Sequence, residues 1–160
     1  MRMPPYVAVV GPGEASSSET EVAEAVGRGL GESGAIVICG GLGGVMAAAC
    51  RGASAVGGLT VGILPGADRS AANQWVQIAI PTGMGELRNG LIVRTADAVI
   101  AVGGAYGTLS EIALALKTGV PAVALSSWDI DGLDSVDSPE LAVTRALELA
   151  GAGRAVGDRT

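Results

Sequence analysis

The sequence predicts a doubly wound α/β fold, in which a mainly parallel sheet of about six strands carries helices on both faces. Short apolar runs, typical of buried strands, alternate with segments of helical hydrophobic period along the chain. Several of these runs end in glycine-rich turns, which is typical of the loops between a parallel strand and the next helix. One domain spanning residues 1–160 is expected, because the chain is long enough for one full core and too short for two.

Six apolar runs predict the strands, in chain order at residues 6–10, 35–39, 59–64, 76–80, 98–102 and 120–125. A last helix is expected to begin at Ser138, where a cap residue is followed by a proline and an acid. Residues 67–76 predict a polar surface loop. Residues 126–137 carry four aspartates, but their spacing lacks the glycine and glutamate of a calcium loop, so a solvated acidic loop is expected and no metal site.

Two segments have the Ser/Thr-x-x-Glu spacing of a capping box, in which a hydroxyl and a carboxylate satisfy the free amides of a helix start. Ser18 with Glu21 predicts the start of the first helix, and Thr108 with Glu111 predicts another. Capping alone would explain Glu111, and a functional role of this carboxylate is the alternative. The two roles are compatible.

The amino-acid composition restricts the kinds of partner that the protein can be expected to bind. The net charge is −6 and no basic run is present, so binding to a nucleic acid backbone is not expected. No apolar run reaches the roughly eighteen residues of a membrane span. The chain is nevertheless 49% hydrophobic, with a mean hydropathy of +0.47, and the apolar surplus is expected to be buried in a homo-oligomer, a dimer or a dimer of dimers.

Composition also restricts the chemistry. The chain has no histidine and two cysteines, which excludes Ser-His-Asp and Cys-His nucleophiles and a thiolate zinc site. Because no signal peptide precedes the first strand, the cysteines are expected to be reduced in a cytoplasmic protein. Any reaction must therefore use carboxylates, arginines, hydroxyls or backbone groups.

The segment 98–118 is the strongest functional signal. An apolar strand leads into a turn that contains Gly103, Gly104 and Gly107, and a helical run follows. Glycines let backbone amides approach an anion, and a helix start leaves amides unpaired at the positive end of its dipole. This order of elements predicts a phosphate-binding loop.

A second glycine-rich turn, with Gly41, Gly43 and Gly44, follows the strand 35–39. It is not a Walker A loop, because no Lys-Ser/Thr closes it. Close packing of the next helix is an alternative explanation for its small residues. Gly11 opens a partial dinucleotide fingerprint, but Ser16 stands where the third glycine belongs and the second strand ends without an acid, so an ordinary NAD site is not expected.

Arg88 and Asn89 are expected in the first turn of a helix over residues 86–94. An arginine at a helix start opposes the helix dipole, which favours an anion or a carboxylate nearby. Arg88 is therefore a candidate for ligand binding, and a structural salt bridge, for example with Glu111, is the competing interpretation. In parallel α/β sheets the loops at the carboxyl ends of the strands share one crevice.

The two glycine-rich motifs, residues 40–46 and 103–111, resemble those of the Rossmann-like proteins often labelled lysine decarboxylase-like. This superfamily includes the cytokinin-activating phosphoribohydrolases, or Lonely Guy (LOG) proteins, and the molybdenum cofactor carrier proteins. In the hydrolase pattern, Glu111 matches the catalytic glutamate and Arg88 matches the catalytic arginine. Gly103, Ala105 and Asn89 replace a proline, a glycine and a lysine of that pattern, and the chain is more similar to the carrier branch.

The resemblance implies a carrier of a phosphorylated ligand, with a nucleotide or the molybdenum cofactor bound and no cofactor required. Its phosphate would lie on the amides of residues 41–45 and 107–110. Tyr106 would cover a base or pterin ring, or else simply pack on the surface. The alternatives are a hydrolase that cleaves the N-glycosidic bond of a nucleoside 5′-monophosphate, and an oligomeric scaffold. Lysine decarboxylation is not expected, because the only lysine, Lys117, lies near a helix end.

Overall fold

The computed structural model describes residues 3–155, and these residues form one seven-stranded sheet with helices on both faces. The strands are β1 (Tyr6–Val10), β2 (Ile36–Cys39), β3 (Thr60–Leu64), β4 (Ile78–Pro81), β5 (Ala98–Val102), β6 (Ala122–Leu125) and β7 (Asp134–Val136). The α-helices are α1 (Ser17–Glu32), α2 (Val45–Ala55), α3 (Asn89–Thr95), α4 (Tyr106–Thr118) and α5 (Pro139–Ala155). Short 3₁₀ turns lie at Arg69–Ala71 and Gly85–Arg88.

The strand order is β4-β3-β2-β1-β5-β6-β7, and every neighbouring pair is parallel. The chain moves outwards from β1 to β4 and then returns to start β5 on the other side of β1. The order therefore reverses between β1 and β5, and ligands of open α/β sheets bind beyond the strand ends at such a point. The predicted fold class is confirmed.

The seventh strand was missed by the sequence prediction of about six strands. It lies in the acidic segment that was expected to be an irregular loop, where Asp134 pairs with Val123 and Val136 pairs with Leu125 of β6. A three-residue edge strand without an apolar run has no hydrophobic pattern by which a sequence could reveal it. Arg145 of α5 forms an ion pair with Asp134, which ties this edge to the helix layer.

The core lies in two layers, one on each face of the sheet. On one face, β1, β2, β5 and β6 pack against α1, α2 and α5, and on the other they pack with β3 against α3 and α4. Five-residue β5 is buried at every position, as expected for a strand covered on both faces. Within residues 3–155, no helix is both long and apolar enough to cross a membrane.

Both predicted capping boxes are wrong in detail. The first helix is capped two residues earlier than expected, by Ser16, whose hydroxyl accepts from the Glu19 amide while the Glu19 carboxylate accepts from the Ser16 amide. The second box does not form, because α4 begins at Tyr106 with Ala105 as its cap residue and no side-chain cap. Thr108 and Glu111 therefore lie inside the helix.

The last helix starts as predicted, with the Ser138 hydroxyl accepting from the Leu141 amide at 3.2 Å. Residues 151–155 continue α5, although residues near a chain end often fray. Residues 156–160 lie outside the described part of the chain.

Candidate functional site

A cavity of about 300 Å³ lies beyond the carboxyl ends of β1, β2 and β5, where the strand order reverses. Its walls come from three strand-to-helix loops, the start of α3 and the first two turns of α4. The lining residues are Val9, Val10, Gly11, Pro12, Gly13, Gly40, Leu42, Met46, Arg88, Asn89, Ala105, Gly107, Thr108 and Glu111. The fold thus brings six of the predicted site residues, Gly11, Arg88, Asn89, Gly107, Thr108 and Glu111, to one cavity.

The first turn of α4 forms one wall of the cavity. Ala105 has no side chain that could cap the helix, so its first amides keep no side-chain acceptor. Gly107 lines the cavity, and a Cβ built on it would meet no heavy atom within 4 Å. Local packing therefore does not require a glycine at position 107, and open space borders the uncapped amides.

Thr108 and Glu111 face this cavity from α4, and both are buried. Thr108 is 2% exposed, and its hydroxyl has no hydrogen-bond partner. Glu111 is 6% exposed, and burial raises the pKa of its carboxyl to about 7, although the charge of Arg88 partly opposes this shift. A buried polar group without a partner is costly, so the Thr108 hydroxyl remains available for a hydrogen bond to a group in the cavity.

Arg88 reaches the cavity from the 3₁₀ turn before α3 and is 9% exposed. Its guanidinium donates to the Ile63 carbonyl at 2.9 Å, to the Gly40 carbonyl at 3.4 Å and to the Asn89 side chain. Burial lowers the pKa of Arg88, and the charge of Glu111 opposes this. No ion pair joins Arg88 and Glu111 within the described chain, so the predicted alternative of a salt bridge between them is wrong.

Asn89 connects the start of α3 to the start of α4. Its side-chain amide donates to the Ser110 hydroxyl at 3.1 Å, and this hydroxyl donates to the Gly107 carbonyl at 2.7 Å. The Asn89 oxygen accepts from Arg88. This chain of hydrogen bonds fixes the guanidinium relative to the uncapped turn of α4, although the two lie on different helices.

The second glycine-rich loop is only partly at the cavity. Gly41, Gly43 and Gly44 do not line it, whereas the neighbouring Gly40 and Leu42 do. Gly44 has a φ of +61°, and a Cβ on it would lie 2.2 Å from the Pro12 carbonyl oxygen. Close packing between the β1 and β2 loops therefore accounts for Gly44 without a ligand.

Gly104 and Tyr106 also lie outside the cavity lining. The Tyr106 ring is 85% exposed and stacks on Trp128, with 6.4 Å between ring centroids. The Trp128 indole donates to the Ala105 carbonyl at 3.3 Å. Trp128 thus holds the loop before α4, a role that no sequence motif indicates.

Four further contributors were missed by the sequence interpretation. Pro12 and Gly13 line the cavity after β1, where the turn itself was the available signal. Met46 lines it from α2, and an apolar side chain at helical spacing gives no signal of a site. Asn73 holds the second glycine loop, because its amide donates to the Leu42 carbonyl at 2.9 Å.

The arrangement is suited to a small anion with an uncharged remainder. An uncapped helix start and a fixed guanidinium both favour negative charge. Glu111 would repel that charge when ionised, but with a pKa of about 7 it can be protonated near neutral pH and donate a hydrogen bond. Leu42 and Met46 supply an apolar surface beside these groups.

Comparison with known proteins gives a consistent result. An uncharacterized protein of Archaeoglobus fulgidus is 44% identical over 142 residues, which cover 88% of this chain and 93% of that protein. The solved structure of the molybdenum cofactor binding protein from Rippkaea orientalis is 34% identical, with a TM-score of 0.87, and the match covers 93% of this chain and 99% of that one. The Moco carrier protein from Chlamydomonas reinhardtii is 30% identical, with a TM-score of 0.85 and coverage of 94% and 99%. The model of the SLOG cluster4 family matches residues 4–150, and the chain therefore belongs to the SLOG cluster4 family.

Proposed function

We propose that this protein binds and carries a small phosphorylated ligand of the pterin or nucleotide type, with the molybdenum cofactor as the leading ligand. The observation that carries the proposal is the buried Thr108 hydroxyl, which has no partner and lines the cavity beside Gly107. A phosphate oxygen at this place would satisfy the hydroxyl and the amides of the uncapped α4 start together. The structural neighbours that bind or carry the molybdenum cofactor support this choice.

The size of the cavity supports a binding mode in which the phosphate end of the ligand lies inside it. About 300 Å³ lies at the lower end of small-molecule pockets, which favours a phosphate and part of a ring system inside the cavity. The aromatic surface of Tyr106, exposed next to Gly107, would then cover the remaining ring. Arg88 would neutralise the phosphate charge from the opposite helix.

Gly107→Asp tests the proposal. An aspartate at this position places a negative charge in the space assigned to the phosphate, and we expect it to weaken binding by roughly a hundredfold. Isothermal titration calorimetry with molybdopterin and with AMP as separate probes measures the effect. Gly153→Asp is the matched control, because Gly153 is also helical with no heavy atom within 4 Å of its Cβ position, and it lies outside the cavity.

Equal binding by Gly107→Asp and wild type would contradict the proposed phosphate position. Absence of heat with both probes in correctly folded wild-type protein would contradict the ligand class. A preference for molybdopterin over AMP would select the pterin-type ligand, and the reverse preference would select a nucleotide.

A second candidate function is hydrolysis of the N-glycosidic bond of a nucleoside 5′-monophosphate. The observation that favours it is that Arg88 and Glu111 line the same cavity, as such a site requires. Glu111 would stabilise the positive charge that develops on the ribose, and Arg88 would hold the phosphate. The pKa of about 7 limits this role, because only the ionised carboxylate carries the stabilising charge.

Release of adenine from AMP decides between the two functions. A hydrolase would release the base at a rate that rises with pH through about 7, as Glu111 ionises, and Glu111→Gln would abolish the release. A carrier would bind AMP without releasing adenine, and Glu111→Gln would retain binding. Chromatographic separation of adenine from AMP measures the reaction directly.

The proposal includes a cytoplasmic location and assembly into a homo-oligomer. Cys39 and Cys50 support the location, because they are buried free thiols that share a hydrogen bond at 3.4 Å. The hydrophobic composition supports the assembly, because large apolar side chains such as Ile78, Ile80 and Leu87 remain exposed.

A further inference from the structure

The two cysteines of the chain meet behind the wall of the cavity. Cys39 is the last residue of β2, and Cys50 lies in the middle of α2. Their sulfur atoms share a hydrogen bond at 3.4 Å, and both residues are 0% exposed. Because the sequence contains no other cysteine, the fold brings all of its thiols together at one place.

Hydrogen bonds distinguish the two sulfur atoms. The Gly41 amide donates to the Cys39 sulfur at 3.3 Å. Since this sulfur already accepts a hydrogen bond from the backbone, we assign Cys50 as the donor within the pair. The direction of the bond makes Cys39 the sulfur whose negative charge is better supported.

The electrostatics of the pair agree with this assignment. The hydrogen bond from Cys50 lowers the pKa of the Cys39 thiol. The Gly41 amide and the positive charge of Arg88 act in the same direction, and burial acts against them. The hydrogen bond with Cys39 and burial both raise the pKa of the Cys50 thiol. The thiolate, which is the nucleophilic form of cysteine, is therefore favoured at Cys39.

The thiols lie one layer of side chains behind the cavity. Leu42 and Met46 line the cavity and also pack in the cluster that contains Cys39 and Cys50. A methionine side chain is unbranched and flexible, so Met46 can move aside for a small molecule. The cavity, at about 300 Å³, has room for a molecule several times the size of water. A small uncharged oxidant in the cavity therefore has a short route to Cys39.

Little movement is needed to join the two sulfur atoms. A disulfide bond is about 2.0 Å long, so the sulfur atoms must approach each other by roughly 1.4 Å. The bond would close a ring over residues 39–50, which contains the whole second glycine-rich loop. Met46 lies one turn before Cys50 on the same side of α2. Joining the sulfur atoms would therefore act on a part of the cavity wall.

We propose that Cys39 and Cys50 form a site of reversible oxidation, at which a small hydroperoxide converts the two thiols into an intramolecular disulfide. Cys39 is the attacking sulfur, and Cys50 is the resolving sulfur. The geometry that carries the proposal is the 3.4 Å contact behind Met46. The proposal is independent of the ligand and of the proposed function.

The reaction has two steps. In the first, the Cys39 thiolate attacks one oxygen of the hydroperoxide, an S–O bond forms and the O–O bond breaks. The leaving oxygen takes up the proton that the Cys39 thiol had released, and the product at Cys39 is a sulfenic acid. In the second, the Cys50 sulfur attacks the Cys39 sulfur, an S–S bond forms and the S–O bond breaks. The Cys50 proton leaves with the hydroxyl group as water, so two thiols lose two electrons and one hydroperoxide is reduced.

Thiol counting on the purified chain tests the site. Reduced protein is treated with a small excess of hydrogen peroxide near neutral pH, denatured and alkylated with N-ethylmaleimide, and its intact mass is measured. Untreated wild type is expected to take up two maleimides. Treated wild type is expected to remain a single chain, to take up none, and to recover both thiols after reduction with dithiothreitol. Methionine sulfoxide adds an oxygen atom without removing a thiol, so it does not mimic this result.

Two single variants identify the role of each sulfur. In Cys50→Ala, the sulfenic acid at Cys39 has no resolving thiol, so it is expected to accumulate and to react with dimedone. Cys39→Ala is the matched control, because it removes the other member of the same pair. Burial keeps the remaining Cys50 thiol protonated, so this variant is expected to give no dimedone adduct. Circular dichroism verifies that each variant is folded.

Four results would overturn the site. Two maleimides on treated wild type would show that the folded pair is not oxidised. A disulfide between two chains would place the reaction between molecules. Loss of thiols together with a gain of oxygen on sulfur would mean that the cysteines oxidise separately. A dimedone adduct on Cys39→Ala but not on Cys50→Ala would contradict the assignment of Cys39 as the attacking sulfur. The wild-type thiol count decides even if a variant fails to fold.

Discussion

The α1 and α4 helices follow two adjacent strands, β1 and β5, but their first turns are completed in different ways. At α1, Ser16 and Glu19 bond each other's backbone amides, so the chain satisfies the helix start by itself. At α4, no side chain caps the first turn, and Thr108 and Glu111, which have the same sequence spacing, are buried beside the cavity. The same four-residue pattern therefore stabilises one helix and leaves polar groups for a ligand in the other.

The difference arises from where each helix begins. A capping box needs its hydroxyl residue at the cap position, immediately before the first helical residue. Ser16 occupies that position, whereas Thr108 lies three residues beyond the α4 cap residue, Ala105. Bonding of the Trp128 indole to the Ala105 carbonyl helps to hold this early start. The absence of a side-chain cap can therefore point to a binding site only when the residue at which the helix begins is known.

The largest expected effect concerns Glu111 and the pH dependence of stability. The pKa of Glu111 is about 7 in the folded protein against 4.5 as its ordinary value, so folding favours the protonated carboxyl. The stabilising contribution is fully present below pH 4.5 and is lost as the pH rises through 7. Relative to Glu111→Gln, the free energy of unfolding of wild type should fall over this range by up to roughly 3 kcal/mol.

Urea denaturation at a series of pH values measures this difference. Thr108→Val serves as the control, because it changes the same turn but keeps the carboxyl and should keep the wild-type pH dependence. A constant difference between wild type and Glu111→Gln across the range would mean that Glu111 does not titrate there.

A smaller effect is expected for the Thr108 hydroxyl. Thr108→Val keeps the shape of the side chain and removes a buried hydroxyl without a partner, so stability should be unchanged or rise by about 1 kcal/mol. Binding of molybdopterin or AMP should weaken by roughly tenfold, because the ligand loses a hydrogen bond. Calorimetry and urea denaturation of the same preparation separate the two effects.

Thr118→Val is the matched control at the other end of α4. The Thr118 hydroxyl donates to the Leu114 carbonyl at 2.7 Å, so its removal should lower stability slightly and leave ligand affinity unchanged. Equal affinity of Thr108→Val and wild type would mean that the ligand does not reach this hydroxyl.

The fold could be predicted because its signals are local and repeated. Buried parallel strands appear in the sequence as short apolar runs. β1 and β5 occur where the sequence predicts them. β4 begins two residues later than predicted, and β7 was missed because its residues, Asp134, Ser135 and Val136, form no apolar run. The resemblance to the superfamily and its carrier branch is confirmed by the family model and the structural neighbours.

The site could be predicted less completely, because it depends on distances between loops. The sequence indicates that Arg88 and Glu111 follow strand ends, but not that Asn89 and Ser110 connect their helices. In the sequence, Gly44 and Gly107 look alike, because each lies in a glycine-rich turn before a helix. In the structure, packing requires a glycine at position 44 and leaves open space at position 107. Such distinctions depend on which atoms lie nearby in the folded chain, and spacing along the sequence does not contain them.

The smallest expected effect is at the α1 start and concerns stability alone. Three serines, Ser16, Ser17 and Ser18, lie at the start of α1, and the first and last of them each have a glutamate three positions later. Ser16→Ala removes the hydroxyl that accepts from the Glu19 amide, and it should lower the free energy of unfolding by about 1 kcal/mol with ligand affinity unchanged. Ser18→Ala is the matched control and should cost less, because no hydrogen bond in the described chain uses its side chain. If Ser18→Ala were the more destabilising variant, the cap would lie where the sequence first suggested; if Ser16→Ala instead weakened binding, the α1 start would belong to the ligand site and the contrast with α4 would fail.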